Sequence, residues 1–194
     1  MQPELKITGE QQLQAALRRV AQSMEDASPA MQAVSLVLLR ETERIFARQG
    51  KGVGLDADWA PLSEVTKHQR ALAQSGGRQY GKNGKQLARY TAASGGLMTI
   101  LQRSGKLAAS VTPVSTSHSA GITTNRRYAA TMFFGAKQGQ FGRDHRNHPL
   151  PWGDIPGRPF LPLRDVSGTP RLTEPAQRSV IDVLMRHFAP DGVA

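Results

Sequence analysis

The sequence has no cysteine among its 194 residues, which excludes disulfide bonds, thiolate metal sites and cysteine nucleophiles. It has no apolar run near the roughly 18 residues that are needed to cross a bilayer, and residues 1–10 lack the basic patch and apolar stretch of a signal peptide. We therefore expect a soluble protein that starts in a cytoplasm and makes no membrane contact. The length predicts a single domain over residues 1–194.

Acidic residues are nearly missing from the middle of the chain. Residues 65–150 contain thirteen Lys or Arg and one acid, Asp144, whereas the rest of the chain contains twelve basic and fourteen acidic residues. The net charge of +10 therefore originates in the middle. Such a field attracts nucleic acid or an acidic protein surface. A solvated basic loop that only keeps the protein soluble explains the same bias, and the sequence leaves these interpretations open.

Motifs for catalysis are missing as well. There is no G-x-S-x-G elbow and no Walker-type phosphate loop, and carboxylate pairs are not apparent where the basic charge is dense. Asp144, His145 and His148 have a spacing that in principle suits zinc. Their segment is loop-like, however, and Arg143 and Arg146 would repel a cation. We expect no enzymatic activity, no metal and no cofactor.

Helical periodicity marks both ends of the chain. A first helix is predicted over residues 8–24, and a second begins with Ser28 as its capping residue and stops at Gly50. The second helix is apolar around most of its circumference, so either it is central to the domain or a neighbouring subunit covers its far side. A last helix is predicted to start near Thr173.

The middle of the chain predicts short elements and loops. Ser63 can cap a short helix, and residues 110–115 and 119–124 have the composition of two strands. Residues 128–134 fit a helix or a strand equally well. Residues 155–162 contain three prolines and must be extended, as a sheet edge or an arm.

The most basic stretch, residues 74–96, has six glycines and no periodicity. It cannot bury enough apolar surface to offset its ordering entropy, so we predict a long, flexible basic insertion. The predicted fold class is α+β, with a small antiparallel sheet packed against two N-terminal helices and one C-terminal helix, and with this long basic loop.

Five short blocks, in order, resemble a known family. They are WAPLS at 59–63 with Thr66, ILQRSGKLAAS at 100–110, GITTN at 121–125 with Tyr128-Ala129, FGA at 134–136, and IPGRPFL at 155–161. Together they resemble the phage virion morphogenesis family, which includes the tail completion proteins of myophages and of Mu-like phages. The sequence departs from the pattern at residues 131–134, where the family more often has a polar His-Gln pair before Phe-Gly.

The resemblance implies a small α+β structural protein of the phage neck or of the head-proximal tail end. It implies a homo-oligomeric ring, expected to be a hexamer, that completes the tail or joins it to the head beside connector and tail-tube proteins. The expected location is the virion, after assembly in the host cytoplasm, and the resemblance implies no enzymatic activity.

Two groups of residues are candidates for binding. Arg158 is held between Gly157 and Pro159, and we predict that its guanidinium pairs with a carboxylate, within the subunit or across a ring interface. Trp59 is either an apolar anchor or an ordinary core residue. The candidate interface residues are Trp59, Pro61, Leu62, Tyr128, Phe134, Arg158, Pro159 and Phe160.

The alternative hypothesis is a sequence-independent DNA-binding accessory protein of phage assembly. Its candidate contacts, with passing DNA or with an acidic protein surface, are Arg78, Lys82, Lys85 and Arg89. Tyr80 and Tyr90 lie in the same stretch and can stack on bases. No helix-turn-helix, zinc-finger or RNP motif is present in the sequence, so the hypothesis predicts binding without base readout.

Overall fold

The computed structural model describes residues 26–188, and it confirms the α+β class. The helix predicted over residues 8–24 lies outside the described residues. The helices are α1 (Ser28–Ala47), α2 (Glu64–Gln74), α3 (Ala88–Gly95), α4 (Ala129–Phe134) and α5 (Glu174–Phe188). The strands are β1 (Val111–Ser115), β2 (Ala120–Thr124), β3 (Leu163–Val166) and β4 (Thr169–Leu172). Within residues 26–188, no helix is long and apolar enough to cross a membrane.

Helix α1 is the centre of the described fold. It packs against the β1–β2 hairpin and also against α5, which explains why its sequence is apolar around most of its circumference. Thr42 of α1 is polar but buried, and its hydroxyl is satisfied because it donates to the carbonyl of Leu38 at 2.9 Å. Leu36 nevertheless stays about half exposed. Of the two alternatives offered by the sequence, a central helix is therefore confirmed for most of the surface of α1.

The strands form two separate antiparallel hairpins instead of one sheet. In the first hairpin, Val111 is opposite Thr124 and Ser115 is opposite Ala120, as the two predicted strands required. The second hairpin, β3–β4, was not predicted. Its two-residue turn, Ser167-Gly168, has positive φ at both positions, which suits the right-handed twist of a hairpin.

The hydrophobic core forms around an aromatic cluster. Phe46 of α1 contacts Trp59 edge-on with ring centroids 5.8 Å apart, and it contacts Phe160 at 5.5 Å. All three side chains are at most 3% exposed. Pairs of this kind contribute about 0.5–1.5 kcal/mol each beyond the burial of their surface. The other buried members are Ile45, Val53, Ile100, Leu107, Val111 and Ala129.

The basic stretch is ordered over part of its length, so the prediction of a long loop without regular structure is wrong there. Helix α3 forms inside it and packs against α2. The buried hydroxyl of Ser75 donates to the carbonyls of Leu72 and Arg78, and the Leu87 amide donates to Gln79. Local polar bonds thus supply the order that apolar periodicity did not reveal. That the stretch is an insertion stays a prediction.

Three local predictions met different outcomes. Ser63 caps α2 as predicted, because its hydroxyl accepts the Thr66 amide at 3.2 Å. Ser28 is the first residue of α1 and not its cap; its own amide donates to the Asp26 carboxylate at 2.9 Å. Residues 129–134, for which the sequence left helix and strand open, are helical.

Gly50 allows the core to close after α1. Its φ is +74°, and a methyl group at this position would overlap the indole ring of Trp59. We predict that Gly50→Ala lowers the free energy of unfolding by about 3 kcal/mol, because left-handed strain and overpacking add together. Gly52→Ala is the matched control, with φ of +59° and open space around it, and should cost about 1 kcal/mol. Urea denaturation measures both, and equal losses would contradict this explanation.

Candidate functional site

The proline-rich segment, residues 155–161, is partly buried in the subunit, with Arg158 and Phe160 as its buried side chains. Ile155 pairs with Ala136 as an antiparallel bridge, and the Arg158 amide donates to the carbonyl of Met132 at 2.8 Å. The indole N–H of Trp59 donates to the carbonyl of Pro159 at 2.7 Å. The segment is therefore extended, as predicted, but it is fixed on both sides and is not a free arm.

Arg158 is the main polar link within this segment. Its side chain is buried, Nε donates to the carbonyl of Ala60 at 3.0 Å, and one terminal nitrogen donates to the carbonyl of Pro61 at 3.2 Å. The predicted pairing with a carboxylate is wrong within the described subunit, because two backbone carbonyls occupy those donors. Residues 60 and 61 precede a helix and leave their carbonyls free to accept.

Beside this link lies a groove of about 570 Å³, which we call the arginine groove. Arg70 of α2, Arg103 and Arg158 line it, and Leu62, Leu101 and Leu107 are among its apolar lining residues. Arg70 is oriented by a hydrogen bond from its guanidinium to the carbonyl of Thr99 at 2.7 Å. The groove thus combines an apolar surface with three side chains of one charge.

The electrostatics of the arginine groove are unbalanced. Burial lowers the pKa of Arg70, and the charge of Arg103 lowers it further. Burial also lowers the pKa of Arg158, with a smaller contribution from Arg70. Within residues 26–188, no carboxylate forms an ion pair with Arg70, Arg103 or Arg158. The one acid in the lining, Asp154, pairs with Lys137 at 2.9 Å instead; the Lys137 hydrogen bond holds the pKa of Asp154 below its usual value.

A second, mainly apolar cavity of about 730 Å³ lies on the other side of residues 155–161. Gly157 and Pro159 line this cavity, whereas the intervening Arg158 lines the arginine groove. Alternate residues of an extended segment point in opposite directions. Phe133 and Phe134 line the second cavity as well, and Phe134 is 79% exposed.

The chain matches the model of the phage virion morphogenesis family over residues 9–189, nearly its whole length. It belongs to this family. Neither a curated protein nor a solved structure matches the chain. The resemblance drawn from the five sequence blocks is therefore confirmed, and the family supports a role in the structure or assembly of the phage particle.

Four of the five blocks that carry the family resemblance meet at the arginine groove. Leu62 comes from the first block, Leu101 and Arg103 from the second, Tyr128 from the third and Arg158 from the fifth. The fourth block, which begins at Phe134, lines the second cavity. The five blocks, which are far apart in the chain, thus lie on the two sides of one wall.

The candidate interface residues differ in how far they are buried. Trp59 and Phe160 are core residues, and Arg158 is also buried. Leu62 and Pro159 are half-buried. Pro61, Tyr128 and Phe134 are exposed, and are the members of the set most accessible to a partner.

Sequence reasoning missed Arg70 as a site residue. A signal was present in the sequence: Ser63 caps α2, so Thr66 and Arg70, four residues apart, share one face of that helix. The carboxylates of Asp56 and Asp58 were also missed; both line the second cavity. They immediately precede the first family block, in a loop whose sequence carries no signal of its own.

The four basic candidates for DNA contact lie on the ordered stretch after α2. Arg78, Lys82, Lys85 and Arg89 are all exposed. They are not part of the arginine groove. Of the two tyrosines, Tyr80 is exposed, whereas Tyr90 is buried and cannot stack on bases, because its hydroxyl bonds to Nδ1 of His68 at 2.6 Å.

Asp144 and the nearby histidines form a local turn. One oxygen of Asp144 accepts the amides of Arg146 and His148 at 2.8 and 2.9 Å, and the other lies 3.2 Å from Nδ1 of His148. The amide and imidazole bonds of His148 lower the pKa of Asp144, with a further contribution from Arg146. Across residues 26–188, no cluster of three or more side chains suits a metal ion.

The Tyr90–His68 bond tests whether the basic stretch is held by α2. We predict that Tyr90→Phe costs about 1 kcal/mol of local stability, since it removes one partly buried hydrogen bond. Hydrogen exchange at the Gly77 and Leu87 amides should then become several-fold faster. Tyr80→Phe, at an exposed ring, is the control and should leave both rates unchanged. Rapid exchange at both amides in the unaltered protein would instead support the flexible loop predicted from the sequence.

Proposed function

We propose that this chain is a non-enzymatic structural protein of the head–tail neck or of the head-proximal end of the tail. In this proposal it assembles with itself into a ring, expected to be a hexamer, that completes the tail or joins it to the head. Its partners are the neighbouring connector and tail-tube proteins. It acts in the virion, after assembly in the host cytoplasm.

Membership of the phage virion morphogenesis family carries the proposal. The surface also offers large apolar side chains that are exposed and accessible to a partner. Several lie between residues 128 and 152. They are Tyr128, Phe134, Phe141, Leu150 and Trp152.

The chemistry of the arginine groove supports binding in preference to catalysis. General acid–base catalysis needs a positioned group that titrates near neutral pH, and the charged residues facing this groove are arginines and one carboxylate, Asp154, already paired with Lys137. Guanidinium groups beside apolar side chains are well suited to hold a protein segment that carries carboxylates.

A phage that lacks this protein tests the proposal directly. We predict that electron micrographs of lysates show filled heads and tails that are not joined, or tails with irregular ends, because the junction has lost a component. Supplying the unaltered protein in trans should restore intact particles. Normal numbers of tailed, infectious particles without the protein would contradict the proposal.

A second candidate function, sequence-independent DNA binding, is favoured by the exposed basic stretch. Four cations within twelve residues can contact phosphates without base readout, and each contact steepens the salt dependence of binding. This function is compatible with the first if the stretch faces a channel through which DNA passes. The same charges also suit an acidic surface on a neighbouring protein.

We predict that replacing Arg78, Lys82, Lys85 and Arg89 with Gln lowers the affinity for double-stranded DNA and reduces the slope of log affinity against log salt by up to about 3–4. Fluorescence anisotropy across a salt series measures both. A variant with Gln at Arg40, Arg48, Arg143 and Arg146 removes the same charge elsewhere and serves as control. Equal binding by the two variants would mean that the stretch makes no specific contribution.

A further inference from the structure

The arginine groove concentrates three positive charges at one place on the described subunit. Arg70, Arg103 and Arg158 are close enough for the charge of one to lower the pKa of the next. Two of these guanidiniums are partly withdrawn from water, and within residues 26–188 none has a carboxylate in ion-pair range. Bringing like charges together in this way opposes folding unless a ligand supplies the opposite charge.

The second cavity has the complementary chemistry. Asp56, Asp58 and Asp165 line it, together with the exposed ring of Phe134 and with Arg164, a cation that pairs with Glu174 at 3.7 Å. The Asp56 carboxylate accepts the Asp165 amide at 2.8 Å, which fixes the loop before Trp59 against β3. Within the described residues, none of the three carboxylates is ion-paired. We call this surface, Asp56, Asp58, Asp165 and Phe134, the acidic face.

The two surfaces cannot neutralise each other within one subunit, because residues 155–161 separate them. Arg158 faces the arginine groove, whereas its neighbours Gly157 and Pro159 face the cavity of the acidic face. Two different complementary surfaces on one chain make a head-to-tail contact between copies. A contact of this type repeats from subunit to subunit and closes into a ring when the rotation per subunit allows it.

We propose that the acidic face of one subunit binds the arginine groove of the next copy of this chain. The three carboxylates pair with the three guanidiniums through charge-assisted hydrogen bonds. Phe134 packs on the apolar lining beside Leu62 and Leu101, as an aromatic anchor surrounded by charge. The inference rests on the proposed function, to which it adds the two surfaces and the direction of the ring contact.

Charge complementarity favours a second copy over DNA as the occupant. The groove presents an apolar lining together with its arginines, whereas a phosphate backbone requires cations on an accessible surface. Arg78 and its basic neighbours after α2 already provide a surface of that kind. The occupant must bring carboxylates and an apolar side chain together, and the acidic face provides both.

Because the chain has no cysteine, two introduced cysteines report the contact without interference. Ala57→Cys lies between two carboxylates of the acidic face, and Ser104→Cys lies beside Arg103; both positions are exposed and both substitutions leave the charges intact. A chain with both cysteines is supplied to the deletion phage, and purified particles are treated with a short bismaleimide. We expect a ladder of covalent oligomers that ends at the size of the ring.

Two single-cysteine chains supplied together distinguish the direction of the contact. A head-to-tail contact joins the Ala57→Cys chain to the Ser104→Cys chain only, so the mixture should give dimers and nothing larger, and either chain alone should give no product. Dimers from one single-cysteine chain alone would show a symmetric contact and overturn the proposal. No ladder from the double-cysteine chain in assembled particles would also overturn it.

Charge reversal tests the chemistry in the double-cysteine background. Arg103→Glu alone and Asp58→Lys alone should each lower the yield of cross-linked product about tenfold or more, and the combination should restore most of it. Arg48→Glu, at an exposed position directly after α1, is the matched control and should change nothing. A ladder unaffected by either reversal would overturn the proposal.

The outcomes separate this inference from the proposed function. If the deletion phage lacks joined particles but the cross-links never form, the function stands and the groove binds a different acidic partner, so the inference fails. If the deletion phage forms normal particles, the proposed function fails, and cross-linking of the purified full-length protein still decides whether the two surfaces meet.

Discussion

The structure depends on one connection between distant parts of the chain, the contact of residues 59–61 with residues 158–160. The Trp59 indole donates to the carbonyl of Pro159, and Arg158 donates in return to the carbonyls of Ala60 and Pro61. Prolines fix the direction of both segments, so little conformational entropy is lost when these bonds form. Gly50 completes the connection, because only a residue without a side chain leaves room for the indole ring.

The same connection creates the arginine groove and the acidic face. Residues 155–161 pass so close to the end of α4 that a side chain at Gly135 would lie 2.6 Å from the carbonyl oxygen of Ile155, and one at Gly157 would lie 2.9 Å from that of Phe134. This close approach makes a thin wall. A thin wall can present Arg158 on one side and Phe134 with its neighbouring carboxylates on the other, which a thicker, fully packed layer would keep further apart.

Elements with strong local signals could be predicted from the sequence, and elements that depend on distant contacts could not. Helix α1, the Ser63 cap and the β1–β2 hairpin follow from periodicity, capping chemistry and strand composition. The order of the stretch after α2 was missed because it arises from polar side chains and not from apolar periodicity: Ser75 bonds to carbonyls three residues away, and Tyr90 bonds to the distant His68. The partner of Arg158 was predicted wrongly within the described subunit, because its donors meet backbone carbonyls, which are present at every residue and leave no mark in the sequence.

The site could not be located from the sequence for the same reason. The five family blocks were recognised separately, and only the fold shows that four of them surround one groove. Arg70 lies outside the blocks. Its charge nevertheless lowers the pKa of Arg158, and the charge of Arg103 lowers the pKa of Arg70 in turn. A groove that holds three cations without a paired carboxylate among the described residues is costly for an isolated subunit, and an assembly that neutralises it recovers that cost. The proposed ring contact, which pairs the acidic face with this groove, would therefore couple subunit folding to assembly and make each subunit more stable in the ring than alone.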